Sequence, residues 1–153
     1  MRIFVDADAC PVKEIIVRLA KQFSVPVTMI SDTSHELSDG YSTMITVDKS
    51  HDSADLALIN RVHSGDIVVT QDYGVAAMAL SKCCYPIHQN GMLYTSQNID
   101  RLLFERHLGQ KIRRSGQKTH STRKRTAQDD RNFEKSFYEL LVSLCSQGKD
   151  QSI

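Results

Sequence analysis

Five aspartates occupy positions from which a chain of this length can do chemistry. Asp6 and Asp8 form an Asp-x-Asp pair in FVDADACP, Asp52 and Asp55 stand three apart in SHDSADLALI, and Asp72 closes IVVTQD. Convergent carboxylates repel one another unless a cation neutralises them, and hard oxygen donors suit Mg²⁺ or Mn²⁺. Mg²⁺ usually keeps several waters, so a few of these acids suffice for one or two ions. Each acid also has a plainer use. Asp52 reads as a helix N-cap, Asp55 is favourable in a first turn through the helix dipole, and Asp72 could cap the helix that follows it. Asp6 differs, because an acid directly after four strand residues has no routine structural job.

The elements that would position these acids are legible from periodicity. Residues 2–6 form a short apolar run that ends on an acid, as a buried strand does. Pro11 suits a first helical position, and 11–23 places Val12, Ile15, Ile16, Leu19, Ala20 and Phe23 on one helical face. Strands are expected at 26–30, 43–47, 67–70 and 86–88, with helices at 54–63, 73–82 and 96–108, the last begun by a Ser96 cap. A final helix is expected at 129–145, with Phe133, Phe137, Leu140, Leu141 and Leu144 at helical spacing. Strands alternating with helices imply an α/β fold with a doubly wound parallel sheet of four to five strands and a C-terminal helical extension. In such sheets a site lies at the carboxyl ends of the strands, near a switch in strand order. A helix begins on the rim where its preceding strand ended, so all five aspartates can share that rim.

The chain has 153 residues, 41% apolar and 24% charged, which fits one globular domain and argues against disorder and coiled coil. Its net charge of +1 hides an asymmetry. Residues 1–100 carry seven Lys/Arg against twelve Asp/Glu, and residues 101–153 carry twelve against six. Such a division suits one half that meets a cation and another that meets an anion. No run approaches a membrane span, and Asp6 interrupts any signal-peptide core, so a cytoplasmic protein without membrane partners is expected. Cys10, Cys83, Cys84 and Cys145 show no paired spacing and read as reduced thiols.

The opening MRIFVDADACPVK, the segment SHDSADLALINRVHSGDIVVTQDYGVAAMAL and the segment HQNGMLYTSQNIDRLL together resemble the YaiI/YqxD family of bacterial proteins. The resemblance covers most of the chain and implies a divergent member of the PIN-like fold group, many of whose members are Mg²⁺- or Mn²⁺-dependent ribonucleases. Asp6 matches that group's acid at the end of the first strand, Asp55 the acid opening the helix before the fourth, and Asp72 the acid after the fourth. Thr70 matches the hydroxyl residue two before it. The Asp6-x-Asp8 pair is closer to the related NYN branch. One feature departs from the pattern: the usual acid on a helix between the second and third strands is missing, and Glu36 and Asp39 fall in an apparent loop. Asp8 or Asp52 would substitute for it. The resemblance implies a nuclease, acting on RNA, in which Asp6, Asp8, Asp55 and Asp72 hold one or two ions and Asp52, Thr70 and His51 support them. PIN-like domains often pair, so a homodimer is an implied partner, although no feature of the sequence specifies an interface.

The stretch from Arg106 to Gln128 contains no acid and reads as a basic loop over about 106–128. Arg106, Arg113, Arg114, Lys118, Arg123, Lys124 and Arg125, together with Lys13 one turn into the first helix, are the candidate phosphate contacts. Two other readings remain open. An Asp-x-Asp after a strand also resembles the opening of haloacid-dehalogenase phosphatases, but the early helix leaves no room for their flap and their later lysine and paired acids are missing. A PIN-like module that binds RNA or protein without cutting is the non-enzymatic alternative.

Overall fold

The structure, a computed structural model, describes residues 1–32, 38–48, 53–117 and 123–150. Among the described residues five strands form one sheet: β1 (Ile3–Asp6), β2 (Val27–Ser31), β3 (Thr43–Thr46), β4 (Ile67–Val69) and β5 (Tyr85–Ile87). Every pairing is parallel and the order is β3-β2-β1-β4-β5. The chain therefore winds outward from β1 in one direction to β3 and in the other, through β4, to β5. The switch in strand order falls between β1 and β4.

Helices α1 (Lys13–Phe23) and α5 (Ala127–Asp150) cover one face, and α2 (Ser53–Arg61) and α3 (Tyr73–Ser81) the other. Period-two alternation assigns the side chains. Ile3, Val5, Ile67 and Val69 point to the first face, where they meet Ile16, Leu19, Phe133, Phe137 and Leu141. Phe4 and Val68 point to the second, against Leu58, Ile59, Val62 and Val75. With both faces covered, the central strands β1 and β4 carry apolar residues almost throughout, as parallel sheets do, whereas the edge strand β3 is largely exposed. Helix α4 (Ile99–Arg114) packs its first turn on α3 through Ile99 and Leu102, beside Ala76 and Tyr94.

Several boundaries differ from those the sequence suggests. α1 begins at Lys13, and Pro11 and Val12 form the turn before it. α4 starts at Ile99 after Asn98, whose side-chain oxygen accepts the Thr95 N–H at 2.9 Å, so Ser96 is not its cap. The same helix runs on to Arg114, so the first nine residues of the expected basic loop are helical. Cations in its last turn, Lys111, Arg113 and Arg114, complement the negative end of the helix dipole. α5 begins two residues earlier than expected and extends to Asp150. Among the described residues no helix is long and apolar enough to cross a membrane.

Candidate functional site

The β1 backbone ends at Asp6, and the β4 backbone ends one residue before Thr70, so these two side chains face each other across the switch point. Thr70 is fully buried, and its hydroxyl donates to Asp6 Oδ2 at 3.2 Å. The Thr70 hydroxyl oxygen in turn accepts the Asp72 N–H at 3.0 Å, and the Thr70 carbonyl accepts the hydroxyl of the buried Tyr94 at 3.1 Å. One threonine thus fixes both Asp6 and the turn that carries Asp72. Tyr94 is held as a neutral donor, because burial, with Tyr73 and Asp72 nearby, pushes its phenol pKa up.

Asp6 is the electrostatic centre of the rim. Its pKa rises from 3.8 to about 6, chiefly through burial, then through the negative charge of Asp55, with smaller contributions from Asp8 and Asp72. The Thr70 hydrogen bond works against the rise. Asp55 reaches this neighbourhood from the first turn of α2, on the far side of the sheet from α1. The structure therefore brings Asp8, Asp55 and Asp72 within electrostatic reach of Asp6.

Asp72 and Asp8 accept backbone N–H groups that order the turns around them. Asp72 is the N-cap of α3, its Oδ1 accepting from Gly74 N at 2.8 Å and Val75 N at 3.2 Å. Asp8 accepts the Ser31 hydroxyl at 2.7 Å and the Asp32 N–H at 2.9 Å, tying the turn after β1 to the end of β2. Asp39 serves a turn, accepting from Ser42 N at 2.6 Å and Tyr41 N at 2.8 Å. Burial alone would raise its pKa, but these bonds hold it below the usual value. His51, Asp52 and Glu36 lie outside the described residues.

The cations divide similarly. Arg106 reaches back from α4 to Asp72 Oδ1 at 3.2 Å. Gly74 leaves room for this contact, since a Cβ there would stand 3.1 Å from Asp72 Oδ1 and 3.7 Å from an Arg106 nitrogen. Arg113 and Arg114 end α4 in solvent, and Lys124 is exposed. Arg123 and Arg125 instead pair with Asp129 at 2.7 Å and Asp130 at 2.8 Å in the first turn of α5. Arg125 also donates to the carbonyl of Gln89, just past the carboxyl end of β5. Lys118 lies outside the described residues. Lys13 opens α1 and lines a groove of about 1320 Å³ over the carboxyl ends of β1, β2 and β3, together with Asp8, Lys21, Ser31, Asp32 and Met44. Cys10 lines it too, its thiol pushed up by burial, so it is a core residue and not a thiolate.

The donor set fits a hard divalent cation in its chemistry: oxygen ligands only, around a carboxyl whose ionisation its acidic neighbours oppose. Among the described residues no three acidic, histidine or cysteine side chains are gathered closely enough to enclose an ion by themselves. Mg²⁺ does not demand that, since it is commonly held by one or two carboxylates, waters and substrate phosphates.

A sequence profile described as "Uncharacterized BCR, YaiI/YqxD family" matches residues 4–143. Proteins named UPF0178 are similar along nearly the whole length. The one from Ruminiclostridium cellulolyticum is 65% identical over 148 residues, covering 97% of this chain and 96% of its own. Those from Alkaliphilus oremlandii and Clostridium acetobutylicum are 55% and 52% identical, covering 92% and 93% of this chain and 91% and 97% of theirs. No solved structure matches.

Proposed function

The chain belongs to the YaiI/YqxD family, and we propose that this member is a divalent-metal-dependent nuclease that cleaves RNA at the β1/β4 switch point. The observation that carries the proposal is the position of Asp6, partly buried at the end of β1 with the charges of Asp55, Asp8 and Asp72 around it. Bringing these acids together at the one place where a doubly wound sheet opens a crevice raises the energy of the metal-free rim. A dication would relieve that repulsion. Bound Mg²⁺ or Mn²⁺ supplies an acidified water and neutralises charge on the phosphate under attack.

The remaining roles belong to the chain. Asp6 and Asp55 would hold the ion, with Asp72 and Asp8 lending charge from positions fixed by backbone hydrogen bonds. Thr70 holds Asp6 in place and keeps Asp72 in register with it. Arg106 sits at the rim beside Asp72, where its guanidinium can orient a backbone phosphate. Lys13 and Lys21 flank the adjoining groove, which suits the strand leading to or from the cut.

Incubating end-labelled structured RNAs with the protein in Mg²⁺, Mn²⁺ or EDTA tests this directly. The expected result is metal-dependent cleavage that Asp55→Asn reduces by at least about 100-fold, the upper end of what losing even an outer-sphere partner costs. Failure to cleave in either metal, or cleavage indifferent to Asp55→Asn, overturns it. A second reading draws on the structural duties of Asp8 and Asp72: a PIN-like module that binds RNA or protein without cutting. RNA binding in EDTA that survives Asp72→Asn, without cleavage, would decide for that module.

A further inference from the structure

Helix α4 outruns the body on which it packs. Ile99 and Leu102 are buried against α3, and the same helical row continues as Arg106, Gln110 and Arg113. From Phe104 to Arg114 every residue except Gly109 is exposed, so a row that begins as a packing face ends as an open one. Its first exposed member, Arg106, reaches Asp72 at the acidic rim, 3.2 Å away. The helical rise of about 1.5 Å per residue places Arg113 about 10.5 Å further along the axis, with Arg114 next to it.

Arg113 and Arg114 differ from the other arginines of the chain. Among the described residues every other arginine donates to an oxygen of the protein, most of them to a carboxylate. These two donate to none. The helix dipole favours cations in the last turn, but it leaves all of their N–H groups unused. No acid occurs from Arg106 to Gln128 to take them. We propose that this open row carries the phosphate backbone of the RNA strand away from the cut, with Arg106 on a phosphate at the rim and Arg113 and Arg114 on phosphates further along. A stacked strand advances roughly 3 Å per phosphate, so the interval from Arg106 to Arg113 spans about three. The planar guanidinium fork pairs bidentately with phosphate oxygens, and such contacts hold the strand whatever its sequence. The groove flanked by Lys13 and Lys21 lies over β1, β2 and β3, whereas α4 sits on α3, which links β4 to β5. The strand therefore crosses the switch point from one to the other. This path rests on the RNA-cleaving reading of the rim and adds to it how the substrate lies.

Fluorescence anisotropy of a labelled single-stranded RNA, titrated with the full chain in EDTA across about 50–200 mM KCl, tests the path. The fall of log K with log salt should be shallower by about 1.4 in the Arg113→Gln, Arg114→Gln double variant, since each phosphate contact contributes about 0.7. Arg131→Gln with Lys135→Gln, an equal loss of charge at exposed positions of α5, should leave the slope unchanged. Both pairs put a good helix former at exposed helical positions, so the variants keep the fold. An unchanged slope in the α4 variant, an equal fall in the α5 control, or a parent that binds no RNA overturns the proposal. So does a parent that ignores RNA and floats with anionic vesicles through Arg113 and Arg114. Binding in EDTA is read apart from cleavage. RNA held along α4 but never cut in Mg²⁺ or Mn²⁺ keeps the path and refutes the nuclease, whereas metal-dependent cleavage with an unchanged slope does the reverse.

Discussion

Asp66 enters β4 at the amino edge of the sheet and Asp6 leaves β1 at the carboxyl edge, and their surroundings are opposite in kind. Asp66 is buried and met by donors: Arg2 N at 2.9 Å on one oxygen, and His63 N at 2.9 Å with the Arg2 guanidinium at 3.0 Å on the other. It closes the start of β4 onto the residue before β1. Asp6 accepts one hydroxyl and lies among acids whose charge opposes its own ionisation. A buried carboxylate surrounded by donors stabilises the architecture. One surrounded by carboxylates is opposed in its ionisation and raises the energy of the charged rim.

Substitutions at the two ends should therefore differ in sign. The largest effect is expected for Asp66→Ala, which strands two backbone N–H groups and a guanidinium; urea unfolding at pH 7 should show a loss of about 3 kcal/mol. Asp6→Asn should instead stabilise the metal-free protein, by about 2 kcal/mol at pH 8. The sign follows from linkage. Asp6 titrates near 3.8 unfolded and about 6 folded, so the native state holds its proton more tightly. The parent loses stability as pH rises from about 4 through 6, and Asn, which cannot ionise, does not. The gap between the two proteins should close below pH 4, and unfolding midpoints in EDTA across that range check it. A gap unchanged by pH would show that Asp6 is not electrostatically strained.

Smaller changes sharpen the contrast. Thr70→Val removes the hydroxyl that links Asp6 to the Asp72 N–H and should cost about 1–2 kcal/mol, read as a fall in thermal midpoint. Arg106→Gln should change stability by less than about 0.5 kcal/mol, because its ion pair with Asp72 is partly exposed and screened. If RNA binding nevertheless weakens in Arg106→Gln, the arginine serves the substrate and not the fold.

Much of this is legible in the sequence. Apolar runs closing on Asp6 and at Thr70, with amphipathic stretches between them, forced a parallel sheet whose site lies at the strands' carboxyl ends. The α1 and α5 faces followed from spacing alone, and Val12, Ile16, Leu19, Phe133, Phe137 and Leu141 are all in the core. The length of α4 was not legible. Gly109, Gln110 and a run of cations look like loop composition, yet Leu108 and Ile112 continue the spacing begun at Phe104, a signal that could have extended the helix. Arg123 and Arg125 read as phosphate contacts, and the structure also pairs them with Asp129 and Asp130, a few residues on, at the start of α5. The Arg106–Asp72 contact and the Tyr94 bond to Thr70 join positions far apart in the chain, and local patterns carry no trace of them.

The central claim is that the rim around Asp6 binds a divalent cation. Calorimetric titration of Mn²⁺ into the parent chain and into the Asp6→Asn, Asp55→Asn double variant tests it most directly. Saturable binding to the parent and none to the folded variant is the expected result. No binding to the parent, or equal binding to both, would contradict the claim.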